Sequence, residues 1–509
     1  MIVEVNPGYL MKLLKGRVSL EEVMEALDMF GTPVDEIKED VLRIEVSPNR
    51  LDMLSTEGIA RTLNGLFGFE KGLPVWGFTS HTVEVNVVGS LIRPFVSFST
   101  VFDVKLEDEM IKSVMQMQEK LHVSAGRNRR RYSIGLYDLD KIKPPVKYLE
   151  LPLEEISFVP LGEEEEMNGR EILEKTEKGR AYGHLVGKKK APVLMDSKGR
   201  IMSMAPVINA EWCKITEKTR NIFIDSTGTA PGTDTMVALI ATSLAERGGK
   251  IGVILPGPSY LPIRMRMDME EIRRIVGIPL QEAEIVEALE KMRYGVEGTD
   301  VLIPAYRADV IGMRDIAEDV AIGYGYEKIP FEIPPSPLFG EPLKESQVEN
   351  EYRKLMLGFG FTEVKTFTLT SEELLKLAGE PKIRVQNPKT MEATTLRQSI
   401  LPNLLELLEK NKKAEYPQRI FEIGFVFLPE QKTALAGAVA HKEASFAEIK
   451  GIVDTLLEIM GRKVEWKSGK HRFFMEGRTA ISKIGVYGEV KPELAARVGM
   501  PIAAFEILI

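Results

Sequence analysis

The chain has 509 residues, too many for one ordinary hydrophobic core, so about three or four domains are expected. Its 44% hydrophobic and 28% charged residues exclude collagen-like and largely disordered classes. A formal charge of −8 excludes a uniformly basic nucleic-acid coat but leaves room for local basic patches. The single cysteine, Cys213, excludes an internal disulfide or a multi-thiolate zinc site, and suits a reducing intracellular setting.

The first residues, MIVEVNPGYLMKLLKG, contain no uninterrupted apolar stretch of the signal-peptide kind. SLEEVMEALDMFG (19–31) places Val23, Met24 and Leu27 on one helical face and stops at Gly31. VLRIEVS (41–47) alternates as a strand, and STEGIARTLNGLFG starts a helix with Ser55 as its N-cap. In residues 74–260 strands are predicted at 83–89 and 157–162, with helices at 106–123, 168–179 and 233–249. The proline-dense stretches LPGPSYLP (255–262) and IPPSPLFGEP (333–342) read as linkers, isolating the segment 263–332.

That segment repeats the chain's beginning. NRLDMLSTEGIARTLNGLFGFEK (49–71) aligns without a gap with YRADVIGMRDIAEDVAIGYGYEK (306–328). Arg50/Arg307, Asp52/Asp309, Ile59/Ile316, Ala60/Ala317, Gly68/Gly325, Glu70/Glu327 and Lys71/Lys328 are identical. The expectation is a duplicated helix–strand module, with copies at 1–73 and 263–332. In 343–509, helices are predicted at 348–361, 401–415 and 446–461, and a strand at 362–370. RIFEIGFVF (419–427) and TALAGAVA (433–440) read as adjacent strands, the latter far shorter than the roughly 20 apolar residues a membrane span needs.

The clearest polar cluster is Asp309, Asp315, Glu318 and Asp319; the last three share a helical face. It reads either as a hard-cation site for Mg²⁺ or as acidic decoration of a helix N-terminus. The first copy keeps only Asp52, with Gly58, Arg61 and Thr62 at the other positions, so the module does not need these acids to fold. GRNRRR (126–131) and GKKK (187–190) are basic clusters that either contact phosphates or sit solvated on loops. The five histidines show no metal-type pair, Cys213 reads as a quiet small residue, and no glycine-rich phosphate loop of the P-loop or dinucleotide type occurs.

The chain resembles the phenylalanyl-tRNA synthetase beta-subunit family in its archaeal and eukaryotic form. The resemblance is carried by SPNRLDMLSTEGIARTL (47–63), RRRYSIGLYDLDKI (129–142), APVINAEW (205–212), TRNIFIDSTGT (219–229), IPAYRADV (303–310), DIAEDVAIGYGYEKIP (315–330), LRQSILPNLLE (396–406) and RIFEIGFVF. It implies an α+β, multidomain fold: an N-terminal module over 1–73, a tRNA-editing domain over 74–260, the second module with an acidic metal site over 263–332, and over 343–509 a class II synthetase-like antiparallel-sheet domain without catalytic motifs that contacts an alpha subunit. It implies a cytoplasmic ligase of two alpha and two beta chains, free of membranes, in which alpha binds ATP and phenylalanine. The beta chain then binds tRNA and hydrolyses mischarged tyrosyl-tRNA. The alternative is a scaffold that docks alpha and tRNA without editing.

By the same resemblance, Asp309, Asp315, Glu318 and Asp319 bind Mg²⁺, although Asp319 stands where glutamate is common. The editing pocket comprises Leu194, Ser203, Asn209, Asp225 and Thr227, with Asp225 or Ser203 engaging the tyrosyl hydroxyl. The family's usual histidine in the strand motif is Tyr137 here. For ATP, Arg397 falls where a structural helix begins, and Arg419 and Glu422 lack the expected arginine–x–glutamate spacing.

Overall fold

The structure, a computed structural model, describes residues 1–38, 41–335 and 338–509. The second proline-rich linker includes Ser336 and Pro337, which lie outside the described residues. The chain forms two compact units, Met1–Glu332 and Ile333–Ile509. Among the described residues no helix is long and apolar enough to cross a membrane.

Within the first unit the two aligned segments share one element order. Residues 1–66 run strand Ile2–Val5, helices Pro7–Leu13 and Leu20–Met29, strands Val34–Lys38 and Val41–Glu45, helix Thr56–Leu66. Residues 263–324 run strand Ile263–Arg266, helices Met269–Val276 and Glu282–Lys291, strands Gly295–Glu297 and Asp300–Ile303, helix Met313–Tyr324. In both, the third strand lies centrally and pairs antiparallel with its neighbours. Local chemistry explains the helices. Ser19 and Glu22 form a reciprocal capping box, and Ser55 Oγ accepts from Gly58 N–H. The helices Thr56–Leu66 and Glu282–Lys291 approach closely because Gly65 lacks a Cβ, which would meet the Lys291 carbonyl at 2.1 Å.

Between these segments stand two five-stranded sheets. The first orders Gly77–Thr79, Lys250–Val253, Phe95–Phe102, Ile222–Gly228 and Tyr132–Asp138; the second orders Ile208–Asn209, Ile201–Met204, Lys190–Met195, Val146–Pro152 and Val85–Val87. Alternation along Ile222–Gly228 sets the layers. Ile222 and Ile224 pack with Val114, Met117, Leu121 and Ile240 of helices Asp108–Val123 and Thr233–Ala245. Phe223 packs the other way, with Tyr148, Val193 and Met202 of the second sheet. The helix expected at 168–179 is instead two, Gly169–Lys175 and Glu177–Tyr182. Thr176 causes the break: its hydroxyl donates to the Ile172 carbonyl and accepts from Gly179 N–H, capping the second helix.

The second unit is built on a seven-stranded, mostly antiparallel sheet in which Gln418–Phe427, Gln431–Ala440 and Ile502–Leu508 run side by side. Both faces are covered. Ala434, Ala436 and Ala438 pack with Leu401, Leu404 and Leu408 of helix Leu401–Lys410; Leu435 and Val439 pack with Ile449, Val453 and Leu456 of helix Phe446–Ile459. This two-sided burial is why TALAGAVA is continuously apolar. The nine-residue strand expected at 362–370 is reduced to Thr362–Glu363 and Leu369–Thr370. Between them the chain serves side chains: Thr366 N–H and hydroxyl both donate to Glu422.

Candidate functional site

A cavity of about 290 Å³ opens in the first unit where helix Asp108–Val123, edge strand Tyr132–Asp138 and residues 203–209 of the second sheet meet. Ser203, Asn209 and Asp225 line it, together with Gly135, Tyr137, His122, Glu119 and Arg129. Leu194 and Thr227 are placed elsewhere. Leu194 is fully buried opposite Ser203 and Tyr148 in its sheet. Thr227 Oγ1 accepts from Arg93 Nε at 2.9 Å, and its carbonyl also accepts from that arginine.

Asp225 is a strongly perturbed group of the cavity. Burial pushes its carboxyl up to about 7, against the opposing pull of the Tyr137 hydroxyl and Arg93. Tyr137 Oη donates to Asp225 Oδ1 at 2.6 Å and shares a hydrogen bond with Ser203 Oγ at 2.9 Å. Burial, and then the Asp225 charge, raise that phenol well above its ordinary value. At the helix, His122 Nε2 accepts from Ile134 N–H at 2.9 Å, so the ring proton of the neutral form resides on Nδ1. Burial lowers the His122 pKa, while its hydrogen bond holds Glu119 down at about 2. The cavity therefore presents the ionised, half-exposed Glu119 carboxylate and the buried Asp225 carboxyl, which is about half protonated near neutral pH, together with neutral hydroxyl and amide groups.

The basic run 126–131 divides. Arg127, Arg130 and Arg131 are exposed, but Arg129 is buried. Arg129 lies over the Tyr182 ring and donates to the Pro206 and Val207 carbonyls and to Glu119. Its contacts hold a turn in which Arg127, Asn128 and Arg129 all have positive φ, a conformation costly for these residues. Arg129 thus serves the cavity wall, and only Arg127, Arg130 and Arg131 of the run face solvent. Cys213 is buried and its thiol is pushed up to about 12 by burial, as a quiet structural residue requires. Periodicity could not reveal His122 and Glu119, because a lone helical histidine carries no signal until the fold supplies its cavity.

A second cavity, about 150 Å³, is lined by Arg50 and Asn49 on one side and by Arg307, Asp309, Asp315, Glu318 and Asp319 on the other. The four acids come together, though not around one point. Arg307 Nη2 donates to Asp309 at 2.8 Å and to Asp319 at 2.6 Å, and the Tyr294 hydroxyl also donates to Asp319. Asp315 accepts from Ile311 and Gly312 N–H at the helix start. Among the described residues no group of three or more histidine, cysteine or acidic side chains is arranged to hold a metal ion. The donor set, oxygen only, nonetheless fits a hard cation. Burial, then the charges of Asp319, Asp315 and Asp309, raise the Glu318 carboxyl against the weaker opposing charge of Arg307. The equivalent turn of the first segment repeats the device: Arg50 holds Asp52 bidentately at 2.9 and 2.8 Å. There burial opposes the charge, but Arg50, Arg307 and Arg61 overcome it and hold Asp52 at about 2.

In the second unit, the arginines that a nucleotide site would need are occupied. Arg397 is 1% exposed and donates to Glu422 at 2.7 Å, to Thr366 Oγ1 at 2.8 Å and to the Phe425 carbonyl at 2.8 Å. Arg419 donates to Glu448 and to the Phe359 carbonyl.

The sequence matches three known domain families: the B3/4 domain over residues 106–248, the tRNA synthetase B5 domain over 265–326, and the phenylalanyl tRNA synthetase beta chain CLM domain over 329–509. The phenylalanine–tRNA ligase beta subunit of Archaeoglobus fulgidus is 39% identical over 96% of this chain and 94% of its own length. That of Pyrococcus horikoshii is 37% identical over 99% and 98%. A crystal structure of an N-terminal fragment of the Pyrococcus horikoshii phenylalanyl-tRNA synthetase beta subunit superposes with a TM-score of 0.60 at 36% identity, covering 64% of this chain and 99% of the fragment. On this evidence the chain belongs to the phenylalanine–tRNA ligase beta-subunit family.

Proposed function

We propose that the chain is the non-activating partner in a cytoplasmic phenylalanine–tRNA ligase of two alpha and two beta chains, binding tRNA and proofreading its charged end. The alpha chain binds ATP and phenylalanine and forms phenylalanyl-tRNA. The observation that carries this reading is the locking of Arg397 by Glu422, Thr366 and a backbone carbonyl: all three guanidinium nitrogens are engaged inside the protein, and at 1% exposure the group is closed off from a triphosphate. The domain over 343–509 is then a platform for alpha, and the module at 1–73, the editing domain at 74–260 and the second module at 263–332 handle tRNA.

Proofreading is assigned to the 290 Å³ cavity. An apolar pocket rejects an added hydroxyl only about 10²-fold, so a synthetase for phenylalanine benefits from a second, hydrolytic site. Here a water attacks the ester carbonyl, the bond to the tRNA ribose oxygen breaks, and that oxygen receives the proton the water gives up. With no nucleophile pair in the cavity, the work falls to orientation and hydrogen bonding, for which half-buried Asn209 and Ser203 are placed. A scaffold that docks alpha and tRNA without editing is the competing reading. It is favoured by the Tyr137 hydroxyl already engaging Asp225, and by Leu194 and Thr227 lying off the cavity wall. The test is reconstitution: alpha and beta together charge tRNA with phenylalanine and hydrolyse tyrosyl-tRNA, and Asn209→Ala slows that hydrolysis by about 10²-fold. Charging without hydrolysis supports the scaffold instead.

Mg²⁺ is assigned to the acidic cavity, held by Asp309, Asp315, Glu318 and Asp319 in competition with Arg307. When bound, it supplies charge neutralisation at this seam. Titration of the chain with Mn²⁺, read by electron paramagnetic resonance, is expected to show one site that Glu318→Gln weakens at least about tenfold. An unchanged titration, or none with the wild type, removes the assignment.

A further inference from the structure

A buried cation, Arg93, stands behind the wall of the proofreading cavity. Its side chain is 1% exposed, and its described hydrogen bonds all go to uncharged oxygens. Nε donates to Thr227 Oγ1 at 2.9 Å and Nη2 to the Thr227 carbonyl at 2.6 Å; Nη1 donates to the carbonyls of Arg129 at 3.1 Å and Arg130 at 3.4 Å. Its backbone is pinned from the second sheet. The Tyr148 hydroxyl donates to the Arg93 carbonyl at 2.7 Å, and Arg93 N–H donates to Ser90 Oγ, which donates to Glu150. Arg93 thus ties the second sheet to strand Ile222–Gly228 and to the turn that carries Arg129. Burial lowers the guanidinium to about 10, against the pull of Tyr148 and Asp225. Burial also raises the Tyr148 phenol, so near neutral pH only Asp225 of these two carries charge. Asp225 and Thr227 are two apart on the strand and share a face. Asp225 Oδ1 takes the Tyr137 hydroxyl, and Gly135 leaves room for that bond, because a Cβ there would overlap both atoms. Oδ2 accepts from no described group.

We propose that Arg93 is a positioning residue of the proofreading site: held by Thr227 and by the Arg129–Arg130 turn, it supports the ionised form of Asp225, whose Oδ2 then accepts the hydroxyl of a tyrosyl group. The inference rests on the cavity being the proofreading site. A buried carboxyl is protonated unless a cation supports it, and a protonated Asp225 presents a hydrogen where the phenol needs an acceptor. Asp225 meets Tyr137 from strand Tyr132–Asp138, Tyr148 from strand Val146–Pro152 and Arg93 from the turn after Ser90. Glu119, His122 and Arg129 stand elsewhere on the cavity wall. Burial keeps both phenols neutral, so Arg93 is the charge that acts on Asp225. Thr227, itself off the cavity wall, acts on the cavity through Arg93.

Carbon NMR of the full chain, isotope-labelled at the aspartate carboxyls, reads the charge of Asp225, its signal assigned by its loss in Asp225→Asn. The wild-type midpoint is expected at about pH 7. Arg93→Gln removes the cation but keeps amide donors, and is expected to raise the midpoint by about one pH unit or more. Arg93→Lys keeps the cation and is expected to hold the midpoint near the wild-type value. In the complex with alpha, the ratio of tyrosyl-tRNA to phenylalanyl-tRNA hydrolysis follows the ionised fraction. Arg93→Gln lowers it about fivefold or more at neutral pH and recovers it as pH rises, which a merely structural arginine would not do. Thr227→Val keeps the charge but loosens Arg93, and is expected to lower the ratio about tenfold with the midpoint unmoved. The proposal is overturned if folded Arg93→Gln keeps the wild-type midpoint, if Arg93→Lys moves it as far as Arg93→Gln, or if Thr227→Val leaves the ratio unchanged. Thr227→Val decides even where Arg93→Gln fails to fold. A raised midpoint in a complex that hydrolyses neither ester retains the pairing of Arg93 with Asp225 and removes the proofreading assignment.

Discussion

Replacing Glu422 with alanine is expected to destabilise the Ile333–Ile509 unit by about 3–5 kcal/mol. Glu422 is fully buried in the strand Gln418–Phe427 and is the only carboxylate bonded to the equally buried Arg397 among the described residues. Removing it strands a guanidinium that cannot reach water, and also releases the Thr366 hydroxyl and N–H. Amide hydrogen exchange of residues 418–427 reads this unit separately from the other. Changing both partners to apolar residues, Arg397→Met with Glu422→Leu, is expected to recover most of the loss, since a buried ion pair and a well-packed apolar pair are energetically similar. A loss below about 1 kcal/mol for Glu422→Ala would mean that Arg397 finds another partner and is not locked, which would also weaken the case for a silent nucleotide site.

The second large effect is a pH dependence. Asp225 titrates at about 7 in the folded chain and near 3.8 as an ordinary aspartate. Between these values the folded state holds a proton that the unfolded state has lost, so stability falls as pH rises through this window. The loss amounts to about 4 kcal/mol by pH 7 and is constant above it. Asp225→Asn removes the titrating group but keeps an oxygen for the Tyr137 hydroxyl. Its first unit should match the wild type near pH 4 and exceed it by up to about 4 kcal/mol at pH 8, read by exchange of residues 222–228 at the two pH values. Parallel pH dependence in wild type and variant would show that Asp225 is not buried as described. A stabilising substitution at a conspicuous buried acid is the behaviour expected where a site retains strain for its chemistry.

Much of the fold was legible because its signals are local. The amphipathic helix within 19–31, the Ser55 cap, the alternation of 41–47 and the paired strands of 419–440 each follow from adjacent residues, and each is present. Failures came where a side chain outcompeted the ladder: Thr176 cutting one helix into two, and Thr366 giving its N–H to Glu422 in place of a strand partner. In the cavity, Ser203, Asn209 and Asp225 were reached through the family resemblance. Tyr137 was noted only as a departure. Its meaning depends on Gly135 and Ser203 being neighbours in space, which spacing along the chain does not encode. The basic run misled in part because charge alone does not distinguish exposed Arg130 from Arg129, whose donors face backbone carbonyls. The acidic quartet was likewise placed together, but spacing could not show that Arg307 already neutralises two of its members.

The account turns on a division of labour, and phenylalanine-dependent exchange of labelled diphosphate into ATP measures it most directly. The purified chain is expected to give no exchange, and a mixture with the alpha subunit to give exchange and charged tRNA. Exchange by this chain alone would contradict the account, because it would require the arginines now spent on Glu422 and Glu448 to be serving a nucleotide.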